Sequence, residues 1–511
     1  MIGVNGTGRV RSLPAVNVEA GGSLLPAQEM RALSSVRVQQ TLSMPSLCEL
    51  VFSDPPGPPN ATTLQPGTRL RVGVPANTTP LFVGEVTAVE YIYGPAGGRE
   101  VRVRAYDLLH RLRKRQSVRV HVQVALHDLA QQLVSDLGLT VQSDDSSPLW
   151  RQLFQHRQSD LGLLVEMAER CGLYLSVREE TLHLLTLRGS GDTIPLKLGE
   201  SLLEARIEVN GDPACRSVSV AGWDAQSVAA HEGQAGNARS GRSVRAGVPP
   251  DRVGGDGTRQ LVGEAAQDDR HAEGMAQAEL DLRTAREVTL WGIAEGDPRL
   301  RPGVPVDVSG VADAVAGHYV LATVVHTIDD RLGFVTELSS TPPPPHERTS
   351  GAVAAFGVVT QVDDPDGLGR VRVMLPTYGE VETDWMGVVC VAAGEGKGLV
   401  ALPDTGDKVL VLFSHEDPAQ GVILGGLYGT QAPPDPGIDG GAVRRYTLRT
   451  PGGSYIQFDD GNKMVRLQDS EGSYLEFTED KVLLHSMTAL DIEAPGKPLT
   501  IRAQTIDFER K

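Results

Sequence analysis

The sequence predicts a mainly β protein with a minor α component, on three observations. Most of the 511 residues fall in short runs where apolar and polar residues alternate, the period of a half-buried strand. Helical spacing is confined to a few segments, near residues 125–138, 159–172 and 263–287. Glycine and proline, 57 and 33 residues, punctuate the runs as turn formers do. A chain of this length predicts about three or four domains, each with its own core.

Two proline-rich segments divide the chain. They read "SSTPPPPHERTSG" at 339–351 and "QAPPDPGIDGG" at 431–441. Proline cannot donate a ladder hydrogen bond and favours an extended spacer. We therefore predict linkers at 341–351 and 431–441, which leave domains at 1–340, 352–430 and 442–511.

The first block mixes strands with two amphipathic helices. Strand-like runs such as "SVRVQQTLSM" and "LFVGEVTAVEYIYG" come first. "ALHDLAQQLVSDLG" then places its leucines on one helical stripe and stops at Gly138, and "SDLGLLVEMAERCG" opens on Ser159, a good N-cap. Residues 224–262 show neither period and are rich in Gly, Ser and Ala, so a long surface loop is expected there. An Ala-rich, charged helix follows, and then more strands.

The middle block predicts a small closed barrel. Five short β runs, "FGVVTQV", "GRVRVML", "WMGVVCV", "KVLVLFS" and "GVILGGLYG", lie within residues 352–430 and are broken by turn sequences such as "DDPDGLG" and "PDTGD". Five short strands in so few residues are typical of the oligonucleotide/oligosaccharide-binding (OB) fold.

The last block, 442–511, alternates apolar and polar residues to its end. "GSYIQF" at Gly453 returns as "GSYLEF" at Gly472, 19 residues later, a spacing that suits a pair of short strands with their turns. The apolar set on one side of these strands is Ile456, Phe458, Val465, Leu467, Leu475, Phe477, Val482, Leu484, Leu490, Ile492, Leu499, Ile501, Ile506 and Phe508.

A lone ribbon of this kind would leave an apolar face and two strand edges in water. Copies of the same chain wound round a common axis would bury that face and pair the strands, which makes oligomerisation part of folding. About seven strands stacked at ~4.8 Å predict a narrow, intertwined β-helix or β-prism roughly 35 Å long.

Composition excludes several other functions. The formal net charge of −17 argues against nucleic-acid binding, and we interpret the basic stretch "HRLRKRQSVRV" at 110–120 as a solvated strand edge. Four dispersed cysteines indicate neither a disulfide framework nor a metal knuckle. The N-terminus lacks a signal-peptide core, and no apolar run approaches ~20 residues. We expect synthesis in the cytoplasm without a signal peptide.

The sequence segments that come near a phosphate-binding, calcium-binding or other metal-binding motif each depart from it. We therefore predict no catalytic residue, metal site or cofactor. "AAGEGKGLV" is not a phosphate loop, because Gly398 follows Lys397 where Ser or Thr is needed. "DDPDG" at 363–367 lacks the closing glutamate of a calcium loop and is interpreted as a turn. The histidines are scattered, and His318, His326 and His485 are predicted to be strand residues.

The middle and last blocks resemble the central spike of contractile injection systems: VgrG proteins of type VI secretion, spikes of contractile phage tails, and extracellular phage-tail-like particles. The resemblance lies in "FGVVTQVDDPDGLGRVRVMLP", "GEGKGLVALPDTGDKVLVLF" and "DPAQGVILGGLYG". Its motif residues are Asp364, Pro365, Gly369, Arg370, Trp385, Pro403, Gly406, Asp407, Gly426 and Tyr428.

The first block resembles the baseplate hub of the same systems, through "AYDLLHRLRKR", "QHRQSDLGLLVEMAERCGLYL" and "GHYVLATVVHTIDDRLGFVTELS". The resemblance implies two tube-like β-barrel folds, at about 1–105 and about 200–340, around a mixed α/β section at about 106–199. Three chains with two such folds each would form a pseudo-sixfold ring that matches a sixfold inner tube.

The resemblance therefore implies a homotrimeric, non-enzymatic spike that a contracting sheath drives through a target envelope. Its implied partners are the inner tube protein, baseplate proteins and a separate PAAR-like tip protein at the C-terminal end, since the chain lacks the His-x-His pair of some phage spikes. Effector cargo is a further partner that the resemblance allows. The resemblance implies contact with the target membrane only when the spike punctures it. The particle itself could be cytoplasmic, membrane-anchored or released.

Two other functions compete with the spike. A free trimeric adhesin would keep the rod and barrel, but would have no need of a hub-like first block. A peptidoglycan hydrolase is the second alternative, and the 431–441 segment is too short to hold the lysozyme domain that some phage spikes insert there.

Overall fold

The computed structural model describes residues 16–53, 64–75, 77–94, 98–346 and 351–509. The chain forms two compact units, Met1–Gly426 and Leu427–Lys511. Strands dominate both units and helices are few, so the predicted mainly β fold with minor α content is confirmed. Within the described parts of the chain, every helix is too short or too polar to cross a membrane.

The N-terminal segment is almost entirely β. Alternation dictates its burial: in Arg69–Gly73, Leu70 and Val72 point into the core while the arginines between them face solvent. Its elements are β1 Asn17–Ala20, β2 Ser23–Leu24, α1 Ala27–Ala32, β3 Leu33–Thr41, β4 Leu47–Ser53, β5 Arg69–Gly73, β6 Phe82–Tyr93 and β7 Arg99–Tyr106.

The next segment packs helices on two small sheets. Its elements are α2 Leu109–Arg113, β8 Arg119–Ala125, α3 Leu126–Val134, β9 Thr140–Ser143, β10 Leu149–Gln155, α4 Asp160–Arg170, β11 Tyr174–Arg178 and β12 Thr181–Leu185. The leucine stripe of α3 is buried, and the chain turns at Gly138 with φ +71°. The hydroxyl of Ser159 accepts a hydrogen bond from the amide of Gly162 at 3.1 Å, capping α4. Both predicted helices are confirmed.

The basic stretch at 110–120 is not simply a strand edge. Its first part forms α2, because Leu109 and Leu112 are buried on one side of that short helix. Its arginines are paired: Arg111 with Glu85 at 2.9 Å and Arg119 with Asp160 at 2.9 Å. Neighbouring carboxylates therefore neutralise much of this positive charge.

The segment after residue 190 returns to strands around one long helix. Its elements are β13 Ile194–Lys197, β14 Leu202–Val209, β15 Ser217–Asp224, β16 Ala229–Ala235, β17 Ser243–Val244, β18 Thr258–Ala265, α5 Asp269–Glu287, β19 Val288–Glu295, β20 Pro305–Ser309, β21 Gly317–Val320, β22 Thr323–Asp329 and β23 Gly333–Ser339. The predicted helix near 263–287 corresponds to α5. His318 and His326 lie in β21 and β22, as predicted.

The prediction of a long loop at 224–262 is wrong. β16 and β18 lie within or overlap that range and pair with opposite sides of β15, antiparallel and parallel respectively. The sequence of β16 lacks the alternation of apolar and polar residues because helix α5 packs directly onto the backbone of this strand. A Cβ added at Gly233 would lie 2.2 Å from the carbonyl carbon of Ala272. Small residues are required there, and they carry no hydrophobic pattern.

One 11-stranded sheet joins the first and third segments. Its order is β14-β19-β23-β22-β3-β4-β7-β6-β5-β1-β2, and β22 meets β3 antiparallel with His326 opposite Val38. Separate apolar cores lie on its two halves, one around Leu50 and Val103 and the other around Leu290 and Val306. Two half-barrels on one sheet agree with the predicted pair of tube-like folds, whose boundaries stay a prediction.

Residues 353–426 form the predicted OB barrel. Its strands are β24 Val353–Gln361, β25 Arg372–Leu375, β26 Val381–Glu382, β27 Gly387–Val388, β28 Val391–Gly394, β29 Lys397–Leu399, β30 Lys408–Phe413 and β31 Gly421–Gly426. The order β25-β24-β30-β31-β27 closes on itself where Val371 and Met386 exchange backbone hydrogen bonds of 3.0 and 2.9 Å. Val359, Val373, Val411, Phe413 and Ile423 fill the interior.

The second unit is an antiparallel meander. Its strands are β32 Ile438–Asp439, β33 Ala442–Val443, β34 Arg445–Arg449, β35 Tyr455–Asp459, β36 Met464–Gln468, β37 Tyr474–Phe477 and β38 Val482–His485. Gly453 and Gly472 lie in the turns before β35 and β37 with φ of +97° and +98°. The repeated Gly-Ser-Tyr phrase is thus a repeated turn that only glycine adopts without strain. His485 is in β38, as predicted.

Residues 486–509 contain no strand in the single chain, although alternation predicts several there. A strand needs a neighbouring backbone to satisfy its hydrogen bonds. The predicted ladder therefore ends at β38 within one subunit, and the last two residues, 510 and 511, lie outside the described range.

Candidate assembly surface

Two apolar rows run straight across the C-terminal sheet. The strand register sets residues of neighbouring strands directly opposite each other. The first row is Leu448, Ile456, Leu467, Leu475 and Leu484, and the second is Tyr446, Phe458, Val465, Phe477 and Val482. We call these two rows the apolar ladder.

The apolar ladder is uncovered in the single subunit. Of the fourteen side chains predicted to line a shared axis, all except Leu475 are 37% to 92% exposed, and Leu475 itself is only partly buried. Soluble domains rarely leave a contiguous apolar surface of this kind without a partner. The structure thus brings eight of the fourteen onto one face, and places the other six, from Leu490 onward, in the unpaired 486–509 segment.

The opposite face of the same sheet is tied together by polar contacts. Arg466 pairs with Glu476 at 3.0 Å, and its guanidinium lies 4.0 Å from the ring centre of Tyr474. Tyr455 donates its hydroxyl to Gln468 at 2.9 Å. These polar side chains are less exposed than the apolar side chains on the other face of the sheet. An ordinary half-buried sheet has the opposite arrangement, with its apolar face covered and its polar face in water.

Asp435 anchors the start of this unit. It accepts two hydrogen bonds of 2.9 Å from Arg445 and further ones from the amide of Gly437 and the side chain of Gln457. Hydrogen bonding to Arg445 holds the pKa of the Asp435 carboxyl well below its usual range. The segment predicted as a 431–441 linker is therefore fastened to β34 and β35.

Sequence reasoning missed Asp435, and it also missed Tyr446 and Leu448, the first rung of the apolar ladder. "RRYTLRT" alternates clearly just after the proline-rich segment. That alternation was the signal that could have found the two ladder residues. For Asp435 no comparable local signal exists, because the side chains that bind it, Arg445 and Gln457, lie 10 and 22 residues away.

In the OB barrel, Asp364 organises the turn after β24. Its carboxylate accepts hydrogen bonds of 2.9 and 2.7 Å from Arg370 and others from the amides of Asp366 and Leu368. The guanidinium of Arg370 holds the pKa of Asp364 far below its usual range. The amide of Gly367 donates to the Asp364 carbonyl at 3.0 Å, which closes a turn at Pro365–Asp366.

The remaining motif residues are also structural. Gly406 has φ +91° and donates its amide to Val359, whose own amide donates to Asp407. This exchange fixes the turn into β30. The guanidinium of Arg372 lies 5.0 Å from the ring centre of Trp385. Gly369 is a positive-φ turn residue, Gly426 ends β31, Tyr428 is exposed and Pro403 is partly buried.

Other candidate chemistry takes ordinary structural forms. "AAGEGKGLV" forms the β28–β29 hairpin, with Gly394 opposite Lys397, and the next regular element is strand β30 rather than a helix whose N-terminus could receive a phosphate. Across the described ranges, no three His, Cys, Asp or Glu side chains lie close enough to share a metal ion.

Two protein-family models match this chain. The type VI secretion system/phage-baseplate injector OB domain matches residues 355–428, which is the barrel described above. The Alg8 N-terminal domain matches residues 13–330, which hold helices α1 to α5 and every strand of the 11-stranded sheet except β23. No curated protein matches the chain by sequence.

Solved structures agree at the level of the fold. The E. coli c3393 protein, a type VI secretion component described as similar in structure to the T4 tail proteins gp27 and gp5, aligns over 80% of this chain and 99% of its own, with 13% identity and a TM-score of 0.53. A chain of the half-lidded Francisella PdpA–VgrG complex aligns over 92% of this chain and 87% of its own, with 8% identity and a TM-score of 0.53.

The barrel, the double half-barrel sheet and the matched injector domain together give this chain the fold of a baseplate or spike protein of the VgrG type. The predicted resemblance is confirmed. The family model of the Alg8 N-terminal domain spans more than half of the sequence. The chain therefore belongs to that family.

Proposed function

We propose that three copies of this chain form the central spike of a contractile injection system. The apolar ladder is the observation that carries the proposal. Three sheets facing a common axis would bury both rows of each copy at the centre and leave the Arg466–Glu476 face in water. Residues 486–509 would gain strand partners from the other two copies, so that Leu490 to Phe508 extend the same core.

Three is the number that also fits the first unit. Each chain carries two half-barrels on one sheet, so three chains present six such folds. A ring of six folds would match a sixfold inner tube, and other surfaces of the hub would meet the baseplate proteins. This reasoning supports a trimer over a dimer, which would present only four folds.

The intertwined needle would act mechanically. Its strands would have no free edge along its length, and one chain could not leave without tearing the others. A separate PAAR-like protein would cap the last rung, and effector cargo would travel with that tip or in the tube. The chain, made in the cytoplasm and assembled into the particle, would puncture the envelope by force and would not hydrolyse any bond.

The solution mass of the full chain and imaging of assembled particles test this proposal. Light scattering should give three times the mass of one chain, and a gold label on the protein should lie at one end of each particle. A monomer in solution would contradict the needle. A trimer whose label never marks particles would favour a free adhesin, and release of fragments from purified peptidoglycan would favour a hydrolase.

A further inference from the structure

A small pocket between two arginines of the first unit lies outside every surface used so far. It is a cavity of about 10 Å³, which is room for one water-sized ligand. The end of β3, the turn between β3 and β4, strand β11 and the segment before β20 form its walls. Its charged side chains are Arg178 and Arg301, and its hydroxyl groups belong to Thr41, Ser46 and Ser176. We call it the arginine pocket.

The positive charge of the arginine pocket is not balanced by a carboxylate. None of the residues in its walls is acidic. Across the described ranges, the hydrogen bonds of both guanidinium groups go to backbone carbonyls. Arg178 donates to the carbonyl of Pro302 at 3.0 Å, and Arg301 donates to those of Pro298, at 3.1 Å, and Pro80. A carbonyl satisfies an N–H group and leaves the charge of the guanidinium in place.

Both guanidinium groups are withdrawn from water and lie close enough to repel each other. Burial lowers the pKa of Arg178, and burial together with the charge of Arg178 lowers the pKa of Arg301 to about 10. Asp144 and Glu179 act in the opposite direction, but neither lines the pocket and neither outweighs burial. Two partly buried like charges are costly unless an anion compensates them.

An adjoining cavity of about 20 Å³ shares Arg301 and contains Asp107. The Asp107 carboxylate accepts a hydrogen bond of 2.7 Å from the amide of Ser46. Burial raises its pKa to about 6, and the guanidinium that lowers this pKa through its charge is that of Arg113. Asp107 therefore does not neutralise the arginine pocket. Gln40 lines both cavities, and its buried Oε1, which has no partner, lies beside room for a water donor in the larger one.

We propose that the arginine pocket binds one monovalent anion of the size of chloride. Two guanidinium groups supply the charge, and most of their N–H groups are not used by the protein. The hydroxyl of Thr41 accepts a hydrogen bond of 3.3 Å from Thr323, so its own proton is available to the ion. Room for a single atom favours a halide over sulfate or phosphate, which carry four oxygens.

The bound ion would hold together three parts of the first unit. Strand β3 belongs to the N-terminal segment, β11 to the helical segment after it, and Arg301 to the segment that follows residue 190. Arg301 also holds the carbonyl of Pro80, in the turn before β6. An anion between the two guanidinium groups therefore stabilises the junction of these parts. The proposal does not rest on the trimeric needle.

Crystals of the full-length protein soaked in sodium bromide locate the ion by anomalous scattering, and this measurement needs no variant to fold. Bromide should give a peak between Arg178 and Arg301. Arg71, an exposed arginine of β5, is the internal control and should have none. The absence of a peak in the arginine pocket overturns the proposal. Equally strong peaks at Arg71 and in the pocket also overturn it, because they show an adventitious ion only.

Thermal unfolding of the full-length protein measures the stabilisation. Unfolding in about 100 mM sodium chloride is compared with unfolding in the same concentration of sodium gluconate, whose anion is too large for the pocket. Chloride should raise the midpoint by about 2 °C relative to gluconate. Arg301→Gln should lose this difference, and Arg71→Gln should keep it. An equal difference in the two variants overturns the proposal.

Discussion

Ile456 and Leu467 lie directly opposite each other in β35 and β36, and they are 37% and 52% exposed. Both belong to the apolar ladder, where cross-strand neighbours normally stabilise a sheet by burying one another under a second layer. Within the described part of the C-terminal unit, no apolar core forms around this pair. The pair is therefore the most direct place to test whether other chains supply the cover.

A charge placed in the apolar ladder should abolish assembly. Leu467→Asp would put three carboxylates at the proposed axis, and an unpaired buried charge costs about 3–5 kcal/mol each. We expect this variant to be monomeric by light scattering. Lys481→Asp adds the same side chain at an exposed turn and should stay trimeric. An assembled Leu467→Asp protein would disprove the proposed axis.

The Asp364–Arg370 pair should stabilise the OB barrel. Asp364→Asn removes the charge from a side chain that is 2% exposed and is expected to lower the free energy of unfolding by about 1–3 kcal/mol in urea titration. Asp366→Asn is the matched control, because Asp366 contacts the same guanidinium but is 66% exposed; about 0.5 kcal/mol or less is expected. Because the pKa of Asp364 is lowered, its contribution is present above pH ~3.8 and disappears as the pH falls through the folded-state value.

His326 should make the first unit sensitive to acid. It is buried between the Thr336 hydroxyl, 2.9 Å from Nδ1, and the Leu300 carbonyl, 3.1 Å from Nε2, and burial lowers its pKa to about 4. The unfolded chain, with a histidine pKa near 6.5, binds the proton first. Stability should therefore fall by about 3 kcal/mol as the pH drops from 6.5 to 4.

Urea unfolding across this pH range measures the effect. His326→Gln should flatten the decline, whereas His318→Gln, at a half-exposed position in β21, should leave it intact. An unchanged pH profile in His326→Gln would show that other groups cause the acid sensitivity.

The contact between α5 and β16 should not tolerate even a methyl group. Gly233→Ala places a Cβ 2.2 Å from the helix backbone, so the helix or the strand must shift. We expect a loss of about 2–4 kcal/mol in the free energy of unfolding, as for other overpacked sites. Gly236→Ala lies one residue past β16 and meets nothing within 4 Å, so it should be near neutral. Equal stability of the two variants would refute the close packing.

Sequence predicted this fold best where large apolar side chains set a period. The stripes of α3 and α4, the five runs of the barrel and the alternation from Ile456 to Leu484 all lie as expected, because burial of Leu, Val, Ile and Phe drives those elements. The same rule failed at residues 224–262. There, the close contact with helix α5 leaves room only for small residues such as Gly and Ala in the strand. Small residues do not produce the alternation of apolar and polar residues by which a strand is recognised in a sequence.

The apolar ladder was predictable from the sequence, whereas contacts between distant segments were not. Rows of alternating residues can be counted along a strand, whereas one cavity of the first unit is lined by Trp150, Glu264, His271 and Glu416, which only the folded chain brings together. Asp435 belongs to the same category, since its partners are in β34 and β35. The proline-rich segment follows the barrel, but it gave no sign that Asp435 within it is fastened to the next sheet.

The paired turns at Gly453 and Gly472 also bear on how long such a needle can be. After each of these turns, the apolar residues of the next strand lie on the same face of the sheet. A duplicated 19-residue unit would therefore add two strands and leave the apolar residues of the neighbouring strands on the side of the axis. The length of the needle would then change in whole steps of about 10 Å, and the first unit would stay as it is.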